Sequence, residues 1–197
     1  MCRAETERAD AGVAGNARIT AATAALLLLL LAAEGATVPF VGELRPEHVF
    51  IGLLLIPPLA LKLGSTGYRF ARYYAGKASY RRKGPPALPL RLLAPGVVLT
   101  TVALFATGVA LIAGASDDGP LPFLHKLSFI AWFALMTVHV LAHLLEVPRL
   151  ATADWRRAGP PEARLAGAGG RLALLGAALL TGVALAWAVV ATVPLGG

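Results

Sequence analysis

The sequence predicts an all-α fold, a polytopic membrane helical bundle of about five transmembrane helices. Composition is the first reason: 57% of the 197 residues are hydrophobic and only 15% are charged, an imbalance that water-soluble cores do not need. Segmentation is the second. Apolar runs fall at 18–40, 47–67, 93–114, 124–147 and 171–193. Each is near the ~20 residues that a helix needs to cross a hydrocarbon core. Charge placement is the third. Lys and Arg number three in the first 18 residues, eight in 62–91 and five in 149–171, so sixteen of the eighteen fall on one side of such a bundle. Arg45 and Lys126 fall on the other side, with Glu34, Glu43, Glu47, Asp117 and Asp118. By the positive-inside rule a multi-pass membrane protein with a cytoplasmic N-terminus is expected.

The elements follow in order. Residues 1–17 are polar, rich in Ala and Gly and mixed in charge, which composition reads as a disordered cytoplasmic tail. Residues 18–197 then form one transmembrane helical-bundle domain. The first segment, AATAALLLLLLAA, is expected to stay as a helix; a signal-peptide cleavage region would prefer a small residue where Glu34 stands. The second carries Pro57-Pro58 at its middle, which removes two amide donors and should kink or unwind it, by packing or beside a cofactor. Its tail places Tyr68, Phe70, Tyr73 and Tyr74 among Arg69 and Arg72, an aromatic and basic interface anchor. The loop 76–91, with GKASYRRKGPP, suits lipid headgroups or a docking partner better than catalysis. Segments three and five share TGVAL, at 107–111 and 181–185; such small residues allow close helix packing or room for a flat macrocycle. The outer loop ASDDGPLPF reads as a solvated turn, since two carboxylates alone make no metal site.

Several classes are excluded. The single cysteine, Cys2, rules out a disulfide framework and Cys-based zinc or iron–sulfur sites within the chain, and reads as an incidental thiol. The net charge of +7 has no recognition motif beside it, so it marks topology and anionic lipid contact, with no nucleic-acid partner. There is no HExxH, no nucleotide-binding glycine loop and no hydrolase triad spacing.

The chemistry rests on four histidines. His125, His139 and His143 share segment four, and His48 begins segment two. His125 and His139 are fourteen positions apart, a rise of about 21 Å on nearly one helix face. Segments two and four run parallel in the expected topology, so His48 and His125 share a depth near the outer surface. Two neutral imidazoles from two helices can take both axial positions of a haem iron. His139 and His143, on one side of one helix, cannot. Fourteen residues inward, His139 meets Lys62 on segment two rather than a histidine. Lys62 can snorkel to headgroups or pair with a propionate or quinone oxygen. Gly52, one turn after His48, could let a porphyrin lie close. Ser128, Trp132 and Met136 continue the histidine stripe, as bundle packing or as ring contacts. His143 sits near the inner headgroups, as an interfacial residue or a proton or quinone contact.

His48-x-x-x-Gly52 with His125, His139 and His143 on a later parallel helix resembles the bacterial cytochrome b561 and hydrogenase- and formate-dehydrogenase-type cytochrome b superfamily, as a divergent member. The resemblance covers roughly residues 45–190 and implies a four-helix core holding haem b. It implies His48 and His125 as outer ligands and His139 as an inner ligand. One haem is expected, and Lys62 departs from the pattern where the second needs a partner. It also implies electron transfer between the quinone pool and a partner oxidoreductase, at most as the electron-transfer subunit of an enzyme. The alternatives are a non-haem membrane anchor or assembly subunit, and a small transporter built on the proline break and Lys62.

Overall fold

The computed structural model describes residues 2–85, 87–114, 119–154 and 167–192, and every element in them is helical. In order these are α1 (Cys2–Thr37), a 3₁₀ turn (Val38–Phe40), α2 (Arg45–Tyr74), α3 (Ala78–Lys83), α4 (Leu88–Ile112), α5 (Leu121–His143), α6 (Val147–Ala151) and α7 (Ala168–Val190). Five helices are long and apolar enough to span a membrane: Asp10–Phe40, Arg45–Tyr74, Leu88–Ile112, Leu121–His143 and Ala168–Val190. Among the described residues the expected all-helical class is therefore what the chain adopts, with five helices of spanning length and apolarity. Asp117 and Asp118 lie outside the described residues.

The stretch 1–17, which composition reads as a tail, differs: it is helical from Cys2 and continuous with the first span. The reason is tertiary. Val13 is buried, and the Asn16 side-chain amide donates to the Ser65 carbonyl of α2 at 3.1 Å. Polar residues here pair with a neighbouring helix instead of water.

The helices form two compact units. The first contains α1, α2, α3, α6 and α7. Its α1 and α2 run antiparallel, with Asn16 against Ser65 near one end and Glu34 against His48 near the other. Helix α2 continues through Pro57-Pro58 without a break, and the Pro58 ring is fully buried. Proline has no amide hydrogen, so Pro58 leaves the Leu54 carbonyl without its helical donor. Gly182 of α7 lies against that carbonyl: a Cβ at Gly182 would overlap the Leu54 oxygen and come within 3.2 Å of its carbonyl carbon. The hydrogen on Gly182 Cα takes that direction instead and makes a weak Cα–H···O contact. The proline pair is thus a packing feature covered by a glycine, and the second TGVAL motif supplies the glycine.

An ion cluster closes one end of this unit. Asp154 accepts from Arg171 Nε at 2.6 Å and Nη2 at 2.7 Å, and from Arg18 Nη1 at 2.8 Å. Its side chain is 8% exposed. Arg171 first, and Arg18 after it, hold the Asp154 carboxyl below its ordinary value of 3.8 against the opposing effect of burial. One carboxylate ties the segment after α6 to α1 and α7.

The second unit contains α4 and α5, an antiparallel pair. Trp132 Nε1 donates to Thr101 Oγ1 at 3.0 Å, and both residues are buried. A Cβ on Gly96 would lie 3.1 Å from Leu135 Cδ1, so Gly96 lets the two helices come together.

Substituting Gly182→Ala is expected to cost about 1–3 kcal/mol, the scale of overpacking, because the added methyl meets backbone that cannot rotate away. Gly176→Ala, in the same helix with open space around it, should be neutral or stabilising by up to about 1 kcal/mol. Thermal unfolding of the two variants in detergent, followed by circular dichroism, measures the difference.

Replacing Asp154 with Ala should cost about 2–3 kcal/mol, the scale of hydrogen bonds to charged groups. The folded carboxyl titrates below 3.8, so its contribution is complete above that value and fades as the pH falls through the lower folded value. The parent should therefore lose stability between pH 4.5 and 2.5 more steeply than Asp154→Ala, in melting curves taken across that range (about one unit either side of an ordinary carboxyl).

Candidate functional site

His48 stands in the first turn of α2 and faces α1. Its Nδ1 lies 2.8 Å from Thr37 Oγ1 and 3.1 Å from Glu34 Oε1. The Thr37 hydroxyl donates its own hydrogen to the Glu34 carbonyl at 2.6 Å. Its oxygen is then left to accept, and the consistent arrangement has the proton on Nδ1. The imidazole is held by a hydroxyl and a carboxylate at the same nitrogen. These side chains are largely inside the fold, His48 at 23% and Glu34 at 16% exposure.

Gly52 lies beside α1: a Cβ there would be in ordinary contact with Glu34 Oε1, at 3.5 Å. The α1 helix brings an acid to this face, and residues 45–190 alone do not contain it.

His125 is held in the same way in the other unit. Its Nδ1 lies 3.0 Å from Thr107 Oγ1, and Thr107 donates to the Ala103 carbonyl at 2.8 Å. The adjacent Gly108 accommodates the ring, since a Cβ there would come within 3.2 Å of His125 Cε1. The first TGVAL motif therefore seats a histidine, through its threonine and its glycine.

Trp132 packs against α4 through Thr101. His139 and His143 sit one turn apart on α5 with ring centroids 4.9 Å apart and planes at 60°. Both are half-buried. Lys62 is drawn into the α1–α2 seam. Its ammonium donates to the Thr20 carbonyl at 3.1 Å, beside Ser65, whose hydroxyl donates to the Lys62 carbonyl at 3.0 Å. That backbone bond gives the ammonium an acceptor within the α1–α2 seam.

The residues that sequence reasoning missed are Glu34, Thr37 and Thr107. Glu34 counted as an outer-side charge and as a residue against signal-peptide cleavage, not as a partner of His48. The signal available was a Glu and a Thr three residues apart at the end of an apolar helix, which puts both on one face. Thr107 was visible as part of a repeated motif, but its partner His125 was not.

The donor chemistry suits iron ligation by Nε2. Metal-bound histidines hold the proton on the opposite nitrogen and give it to a carboxylate, carbonyl or hydroxyl. His48 and His125 each have that second partner at Nδ1.

The fold defines a multi-pass, all-helical membrane protein. Comparison of the chain with protein-family models, with curated proteins and with solved structures finds no match.

Proposed function

We propose that the chain is a membrane-embedded b-type cytochrome that carries electrons between the quinone pool and a partner oxidoreductase. Its axial ligands are those the sequence resemblance implies, His48 and His125, with one haem. The observation that carries this reading is the matched support of the two imidazoles at Nδ1, by Thr37 and Glu34 in one case and by Thr107 in the other. Orienting partners of this kind fix the tautomer and raise the basicity of a ligand nitrogen. A bound haem b would supply reversible one-electron chemistry. The chain's own residues would supply the ligands, their orientation and an apolar surround. The concentration of Lys and Arg on one side supports a cytoplasmic N-terminus in a bacterial inner membrane.

A second reading is a non-haem anchor subunit. It is favoured by the helix-to-helix hydrogen bonds of Lys62 to the Thr20 carbonyl and of Trp132 to Thr101, which are structural contacts.

A dithionite-reduced minus air-oxidised spectrum of the purified protein, with haem quantified per chain, separates the two. One haem with b-type α and Soret bands is expected. His48→Ala and His125→Ala should each abolish the bands, whereas His143→Ala should keep them. Full haem in the His48→Ala, His125→Ala double variant would reject the ligand assignment. No haem after supplementation during expression would leave the anchor.

A further inference from the structure

At the C-terminal end of α2, Tyr68 and Tyr80 pack edge to face with ring centroids 6.0 Å apart, and the short helix α3 is docked through the buried Tyr80. Cations gather around this pair. The Arg72 guanidinium lies 5.6 Å over the Tyr68 ring. Arg69 Nη2 donates to the Gly84 carbonyl at 3.3 Å, which fixes the guanidinium beside the chain leaving α3. Partial burial first and the Arg69 charge second hold the Lys83 ammonium below its ordinary value, with Glu146 offsetting part of that. Both arginine charges also reach Tyr80.

This gathering is not balanced within the described residues. Arg82, on the same short helix, has its acid, Asp10 at 2.7 Å. Among the described residues no ion pair is formed by Arg69, Arg72 or Lys83, and Arg72 Nε is buried with no hydrogen-bond partner. A buried guanidinium N–H without an acceptor is costly, and like charges held together raise the cost further. An anion with several acceptor oxygens relieves both. The surroundings indicate which anion. Phe70 is 63% exposed and Tyr74 58%, on the last turns of a membrane-spanning helix, as aromatic side chains are at the headgroup level. The occupant is therefore one that arrives with acyl chains.

The geometry points to a binding site for the phosphate of an anionic phospholipid, held by Arg69, Arg72 and Lys83 beside the Tyr68–Tyr80 pair. The phosphodiester accepts from the arginines by charge-assisted hydrogen bonds, which the planar guanidinium favours over an ammonium. The acyl chains lie along the exposed aromatic face of α2. The site does not depend on haem.

The test titrates phosphatidylglycerol onto the full-length protein in neutral detergent, with bound lipid counted by native mass spectrometry. Phosphatidylglycerol should bind, and phosphatidylcholine should bind about tenfold more weakly. The Arg69→Gln, Arg72→Gln double variant should lose about tenfold in affinity, the scale of one strong charge-assisted bond. Lys77→Gln with Arg81→Gln removes the same charge from exposed positions and should change affinity less than about twofold, since exposed charges are screened. If the double variant does not fold by circular dichroism, Arg72→Lys replaces it; this keeps the charge, loses the Nε donor and should still weaken binding. Equal loss in the two double variants would overturn the site in favour of general surface charge. Unchanged binding in the arginine variants would overturn it outright. Displacement of the lipid by millimolar inorganic phosphate would overturn the lipid assignment and leave a free-phosphate site.

Discussion

The contact between Gly182 and the Leu54 carbonyl is the constraint on which the first helical unit depends. A bilayer offers no water to a carbonyl that has lost its helical donor, so Pro58 creates a polar group that the protein must cover. Only a residue without a side chain can approach closely enough, and α7 provides it. The consequence is a helix crossing fixed by backbone. Leu53, Leu54, Leu55 and Pro58, the most buried stretch of α2, line the same region.

The same economy runs through the other helix contacts. Hydrocarbon chains solvate leucine as well as another leucine does, so apolar surface alone selects no partner in a membrane. Selection falls to small residues and interhelical hydrogen bonds, each worth only about 0.6 kcal/mol on average. Asn16, Thr20, Lys62 and Ser65 form such a seam between α1 and α2, and Thr101 with Trp132 forms one between α4 and α5. The two supported histidines use the same device. Thr37 and Thr107 satisfy a helix carbonyl with their hydrogen and an imidazole with their oxygen. One residue type thus serves both helix packing and the support of an imidazole.

Charge is handled differently, by collection at an end. Asp154 between Arg18 and Arg171 secures three segments of the first unit. Around Tyr68 and Tyr80 the cations outnumber their acids. In one case the balance is internal. In the other it is left to the membrane surface.

The sequence by itself determined the helical class, the five spans and the sidedness of the charge, because each is a local sum over about twenty residues. It also carried the four histidines and the repeated TGVAL. Partners were decided only by tertiary structure. Residues 1–17 have the composition of a tail, yet from Cys2 they belong to α1, and Asn16 meets Ser65 of α2. Gly52 follows His48 by one turn, and only the fold shows Glu34 of α1 beside it. Lys62 donates to the Thr20 carbonyl, a partner that only the pairing of α1 with α2 reveals. Glu34 and Thr37 were invisible as supports for His48 for the same reason. A hydrogen bond between helices depends on two distant positions and one register, and periodicity along a single segment holds information about only one of them.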